Sequence, residues 1–189
     1  MPTPPSVERV KVWDPFVRLF HWSLVTCVVV DFFFLDDGKR VHQWLGYGAA
    51  ALVIARVLWG FVGAGHARFA DFFPTVARLR AHLADLRAGR PDPHLGHNPL
   101  GALMMLALMG MVIALGVTGY LQGTDRFWGE AWLQDIHALL ADGLITLAAV
   151  HALAAILVGR REGVNLVAAM ITGVKVRRRV VTDPAGPER

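Results

Sequence analysis

Four of the eight histidines, His21, His42, His137 and His151, stand inside long apolar stretches, and their spacing suggests metal-ligand chemistry. His137 and His151 lie fourteen positions apart. On an α-helix that offset is a rise of about 21 Å and stops about 40° short of four full turns, so both imidazoles leave one face at two depths. Neutral imidazole can ligate iron without adding charge to an apolar setting. Two imidazoles from opposite sides grip a haem iron on both ring faces and leave no open position for oxygen. Each member of the His137/His151 pair needs a counterpart on another helix, and His21 and His42 are available. For any one of them, the competing reading is an ordinary hydrogen-bonded side chain in a helical core.

Composition defines the elements that must carry these side chains. The chain has 189 residues, 54% hydrophobic and 18% charged, with a mean hydropathy of +0.44, too apolar for an ordinary soluble domain. One cysteine, Cys27, excludes a disulfide framework, and without a C-x-x-C-H motif covalent c-type haem has no attachment point. Residues 1–15 are polar and proline-rich, and the apolar run after them lacks a small-residue cleavage pattern, so an uncleaved first span is expected. Apolar length predicts four spans, at about 16–35, 42–62, 99–121 and 136–158. A connector of about residues 64–98 contains a stripe of Val76, Leu79, Leu83 and Leu86, with Arg78, Arg80 and Arg87 off it. This pattern predicts an amphipathic helix on the membrane surface. Val164 to Val174 is too short to span and is expected at the interface, followed by a disordered tip within the 160–189 tail. No internal repeat is visible.

The fold class expected is therefore all-α: an integral membrane four-helix up-down bundle, one domain over residues 1–189. The basic residues, with a pI of about 9.8, flank apolar spans rather than clustering with aromatics, which argues against nucleic acid and for the positive-inside rule. Of the 19 Lys and Arg residues, 15 fall in the N-terminal segment with Arg18, the connector and the C-terminal tail; the two short loops hold Lys39, Arg40 and Arg126. Both termini and the connector are then expected in the cytoplasm.

That orientation sorts the histidines by depth. His42 and His137 fall near the outer surface and His21 and His151 near the inner one, as two bis-histidine haems in a bundle require. Arg56 follows His42 by fourteen residues and so shares the inner level. An unpaired guanidinium there is expensive, so Arg56 or Arg18 either pairs with a haem propionate or snorkels to the surface. Asp31 is either a snorkelling interface residue or a proton relay. His66, His82, His94 and His97 lie in the connector and read as solvated; His94-x-x-His97 could bind a metal, but no Cys or acidic partner is apparent. Met104, Met105, Met109 and Met111 read as packing, as does Cys27.

Several segments together resemble a known family. They are Val12 to Trp22 (V-W-D-P-F-V-R-L-F-H-W), His42-x-x-x-Gly46-Tyr47, Arg56-x-x-Trp59-Gly60, Gly96-His97-Asn98-Pro99-Leu100-Gly101, the His137/His151 helix, and Asn165-Leu166 through Ala169-Met170-Ile171-Thr172-Gly173. The chain resembles the bacterial cytochrome b561 and nickel-hydrogenase b-type cytochromes along nearly its whole length. The resemblance implies a di-haem b protein of the bacterial cytoplasmic (inner) membrane, with His21, His42, His137 and His151 at the family's ligand positions. It also implies electron exchange with the quinone pool and a periplasmic-side donor such as a hydrogenase, a c-type cytochrome or superoxide. Two other readings are a haem-free proton or ion carrier and an anchor subunit for a partner redox enzyme.

Overall fold

The computed structural model describes residues 6–63, 65–90 and 92–179. Its elements are strand β1 (Ser6–Lys11), helices α1 (Pro15–Phe34) and α2 (Arg40–Val62), a 3₁₀ turn (Gly65–Ala67), and helices α3 (Phe69–Phe72) and α4 (Val76–Arg87). Helices α5 (Pro99–Gln122), α6 (Ala131–Glu162) and α7 (Leu166–Thr172) follow, then strand β2 (Val174–Arg179). The helices α1, α2, α5 and α6 are each long and apolar enough to cross a membrane. Their lateral surfaces leave Leu19, Phe33, Phe34, Leu58, Phe61 and Leu139 exposed, which suits lipid as the surrounding solvent.

Local chemistry sets the helix ends. Asp14 caps α1 by accepting from the Val17 amide at 2.9 Å, and Asn98 caps α5 by accepting from the Gly101 amide at 2.7 Å. Pro15 and Pro99 occupy the first helical positions, where a missing N–H costs nothing. At 32 residues α6 is the longest helix, extending beyond 136–158 at both ends. Its length of about 48 Å exceeds a hydrocarbon core of about 30 Å, so its ends reach polar surroundings.

Consecutive helices pack in sequence, α1 on α2, α2 on α5 and α5 on α6, around Phe20, Ala49, Val53, Met109, Val112 and Leu144. By contrast, α1 and α6, the carriers of His21 and His151, do not pack closely on each other. The α1 start, α2 end, α5 start and α6 end share one end of the bundle with the connector; the opposite end has only the two short loops.

The connector end differs from expectation in two respects. The two tails pair as an antiparallel ribbon, with Ser6 opposite Arg179 and Lys11 opposite Val174. The expected tip beyond residue 179 lies outside the described residues. In addition, α4 is rotated relative to the apolar stripe: Val76 and Leu83 are exposed, whereas His82 is 4% exposed. The expectation of a solvated His82 is therefore corrected, because α4 turns this side chain toward His94 in the segment that leads into α5.

Gly173 joins the ribbon to the bundle. Its φ of +84° ends α7, its carbonyl accepts from the Val12 and Trp13 amides at 2.9 and 3.2 Å, and an added Cβ would lie 2.8 Å from the Trp13 carbonyl oxygen. Gly173→Ala is expected to cost about 1–3 kcal/mol, from left-handed strain and this clash. Denaturant unfolding of the detergent-solubilised protein checks it; unchanged stability would show that the ribbon junction tolerates a side chain.

Candidate functional site

At the short-loop end His42, in the first turn of α2, faces His137 on α6. Their ring centroids are 6.1 Å apart and their planes are inclined at 74°. The Nδ1 atom of His137 lies 2.8 Å from Thr118 Oγ1 on α5. The same hydroxyl lies 2.9 Å from the Ala114 carbonyl oxygen. A hydroxyl has one proton, so donating to that carbonyl leaves Thr118 to accept from Nδ1–H of His137, and the free lone pair then resides on Nε2. His42 Nδ1 is similarly engaged, 3.1 Å from Asp31 Oδ1, although the contact is not aligned as a hydrogen bond. Asp31 thus lies beside His42. Gly119 allows the close approach of His137, whose Cε1 would lie 3.3 Å from a Cβ at that position.

At the connector end His21 on α1 and His151 on α6 lie within electrostatic range of each other. His21 Nδ1 is buried without a protein partner. Arg56 is 1% exposed and lies within the fold, so the snorkelling alternative is excluded for it. Its Nη2 donates to the Ala67 carbonyl at 3.2 Å, its guanidinium lies 5.5 Å from the Phe69 ring, and its buried Nη1 has no protein partner. Arg18 donates to the Ile171 carbonyl, and its Nε is likewise buried and unpartnered.

His97 was expected to be solvated, but it is packed between Trp13 and Phe72, with ring centroids 4.6 and 5.2 Å away. Its Nδ1 is also buried without a partner. Burial first, then the positive charge of Arg56 and the proximity of His151, Lys175 and His21, push its pKa to about 3. The imidazole is therefore neutral at physiological pH. The sequence signal was its place immediately before the Asn98 cap, where the chain must turn in to begin α5. His94 was also read as solvated without an acidic neighbour; its Nδ1 in fact lies 2.6 Å from Asp92 Oδ1. Burial alone would raise the Asp92 carboxyl, but hydrogen bonds from the His94 amide, the Asn98 amide and the His94 ring hold it below the usual carboxylate range. The His66 side chain is outside the described residues. Met109 packs in the core with Met105, Met111 and Cys27 around it, the structural role expected of them.

Two imidazoles that shared one metal would have ring centroids about 6 Å apart, from metal–nitrogen bonds of about 2 Å and ring nitrogens about 1 Å from their centroids, so the 6.1 Å spacing of His42 and His137 is compatible with a shared iron. His42 and His137 would hold the iron, which would supply one-electron redox chemistry there, while Thr118 steadies the His137 ring at Nδ1.

Comparison with known proteins gives the same class. Residues 12–173 match the prokaryotic cytochrome b561 family. A probable Ni/Fe-hydrogenase B-type cytochrome subunit of Azotobacter vinelandii is 25% identical over 153 residues, covering 65% of this chain and 63% of that protein. A protein of the same description from Bradyrhizobium diazoefficiens is 24% identical over 209 residues, covering 87% and 85%. A probable Ni/Fe-hydrogenase 1 B-type cytochrome subunit of Escherichia coli K12 is 22% identical over 138 residues, covering 58% of each. No solved structure matches the chain. With four membrane-length helices and a family match over most of its length, this chain belongs to the prokaryotic cytochrome b561 family, as a multi-pass membrane b-type cytochrome that binds haem b and carries electrons.

Proposed function

We propose that the chain holds two haems, one between His42 and His137 and one between His21 and His151, and links a donor at the short-loop end to the quinone pool. The observation that carries this reading is the 6.1 Å separation of the His42 and His137 rings, with Thr118 and Asp31 occupying the Nδ1 sides. When bound, the haems supply one-electron redox chemistry at two levels about 20 Å apart, the rise between His137 and His151.

The protein residues have three tasks. Thr118 fixes the ring orientation and tautomer of His137 so that its Nε2 is available to iron, and Asp31 places a carboxylate beside Nδ1 of His42. Arg56 and Arg18 present unsatisfied N–H groups at the connector end, where they suit the propionates of the inner haem. His97, neutral and unpartnered at Nδ1, adds a hydrogen-bonding group in the same region. A cleft of about 290 Å³ lined by Pro15, Arg18, Leu19, Trp22 and Ile171 flanks His21 in sequence and supports quinone exchange there, with Arg18 as the polar contact for a carbonyl oxygen.

The excess of Lys and Arg on the tails and connector supports a cytoplasmic location for that end, within a bacterial inner membrane. The short-loop end is then periplasmic, and the relatives' names favour a hydrogenase as donor over a c-type cytochrome or superoxide. An anchor role for a redox partner is compatible with this reading; a haem-free ion carrier is not.

Two experiments test the site. His42→Ala and His137→Ala are each expected to lose the same haem component in reduced-minus-oxidised spectra and retain the other, whereas His21→Ala and His151→Ala lose the complementary one. Loss of different components by His42→Ala and His137→Ala would overturn the pairing. In redox titrations, Arg56→Gln is expected to lower the midpoint potential of the inner haem by tens of millivolts, with little change at the outer haem and partial recovery in Arg56→Lys. Equal shifts at both haems, or none, would remove Arg56 from that role.

A further inference from the structure

Outside both haem pairs, the connector brings three ligand-type side chains together. His82 is 4% exposed on α4, a helix otherwise rich in solvent-facing arginine. Its ring centroid lies 6.0 Å from that of His94. The Asp92 side chain is 7% exposed, and its Oδ1 lies 2.6 Å from His94 Nδ1 while its Oδ2 accepts from Asn98 Nδ2 at 2.9 Å. One nitrogen from each histidine and one Asp92 oxygen lie within 4.8 Å of one another.

We propose that His82, Asp92 and His94 form a binding site for a divalent transition-metal ion of the zinc class. Two imidazoles and one carboxylate are a ligand set that zinc accepts, with water completing the tetrahedron. Tetrahedral ligands at about 2.1 Å lie about 3.4 Å apart, so no pair of ligand atoms needs to close by much more than 1 Å, and the His94 Nδ1–Asp92 Oδ1 contact at 2.6 Å would open if those two atoms ligate. A cavity of about 110 Å³ lined by Asp71, Phe72, Arg78, His94, His97 and Pro99 adjoins His94 and has room for the water. Asp92 supplies the anionic ligand, oriented by Asn98, which itself caps α5 through the Gly101 amide.

The bound ion would tie the middle of α4 to the segment that starts α5, clamping the connector against the bundle. His82 belongs to one arm and Asp92 and His94 to the other, so neither arm alone forms the site. This site shares no residue with the haem ligands and does not depend on how many haems the chain holds.

The test uses the full-length, haem-loaded, tag-free protein. After equilibration with zinc chloride and desalting, elemental analysis is expected to find one zinc per wild-type chain. His82→Gln and His94→Gln should weaken zinc binding by at least about tenfold, while Asp92→Asn, which retains a group able to bond Asn98, weakens it without removing the cap. Unchanged haem spectra establish that each variant is folded. Zinc should also slow trypsin cleavage after Arg87 in wild type and leave the rate unaltered in His82→Gln. Absence of retained zinc in wild type, or equal retention in a folded His82→Gln protein, would overturn the proposal.

Discussion

An imidazole held among apolar helices must satisfy both of its nitrogens, and this requirement organises the bundle at the short-loop end. One nitrogen can be satisfied by a neighbouring side chain, as Thr118 does for His137 at 2.8 Å and Asp31 approaches doing for His42 at 3.1 Å. The other then has to find a proton or a metal. With the two rings 6.1 Å apart, the proposed haem iron would serve both remaining nitrogens. The same requirement also explains why α5, which contributes no histidine to either pair, lies between α2 and α6: it carries Thr118 and the small Gly119 against which His137 rests.

The connector end uses more polar material because more chain converges there. The β1–β2 ribbon and the Gly173 junction set Trp13 against His97 and hold Arg18 near Ile171. Arg56 is buried beneath the Phe69 ring and the Ala67 carbonyl, with one guanidinium nitrogen lacking a protein partner. A buried cation so incompletely satisfied is costly in apolar surroundings, and a bound anion such as a carboxylate offsets much of that cost. The same region receives Lys175, which donates to the Gly96 carbonyl at 3.4 Å.

Much of this was legible in sequence, for identifiable physical reasons. Four apolar runs of membrane length predict four helices because lipid leaves the backbone few other ways to satisfy its hydrogen bonds. The fourteen-residue offset between His137 and His151 predicts one helical face at two levels because helix geometry is fixed. The ribbon was less visible: β1 and β2 lie at opposite ends of the chain, and their alternation of Val with Arg or Lys resembles a charged tail until the partner strand is known. His82 was missed because Val76, Leu79, Leu83 and Leu86 suggest a different inward face for α4, and the segment carrying Asp92 and His94 covers the His82 side instead. His97 was missed because its burial follows from the turn that Asn98 and Pro99 impose, rather than from any apolar periodicity.

The central claim is that four histidines make two haem sites in one chain. The haem-to-polypeptide ratio of the purified protein, from the pyridine haemochrome assay and amino-acid analysis on one sample, tests it most directly. The account predicts two b-haems per chain. A ratio of one, or a folded protein without haem, would contradict it.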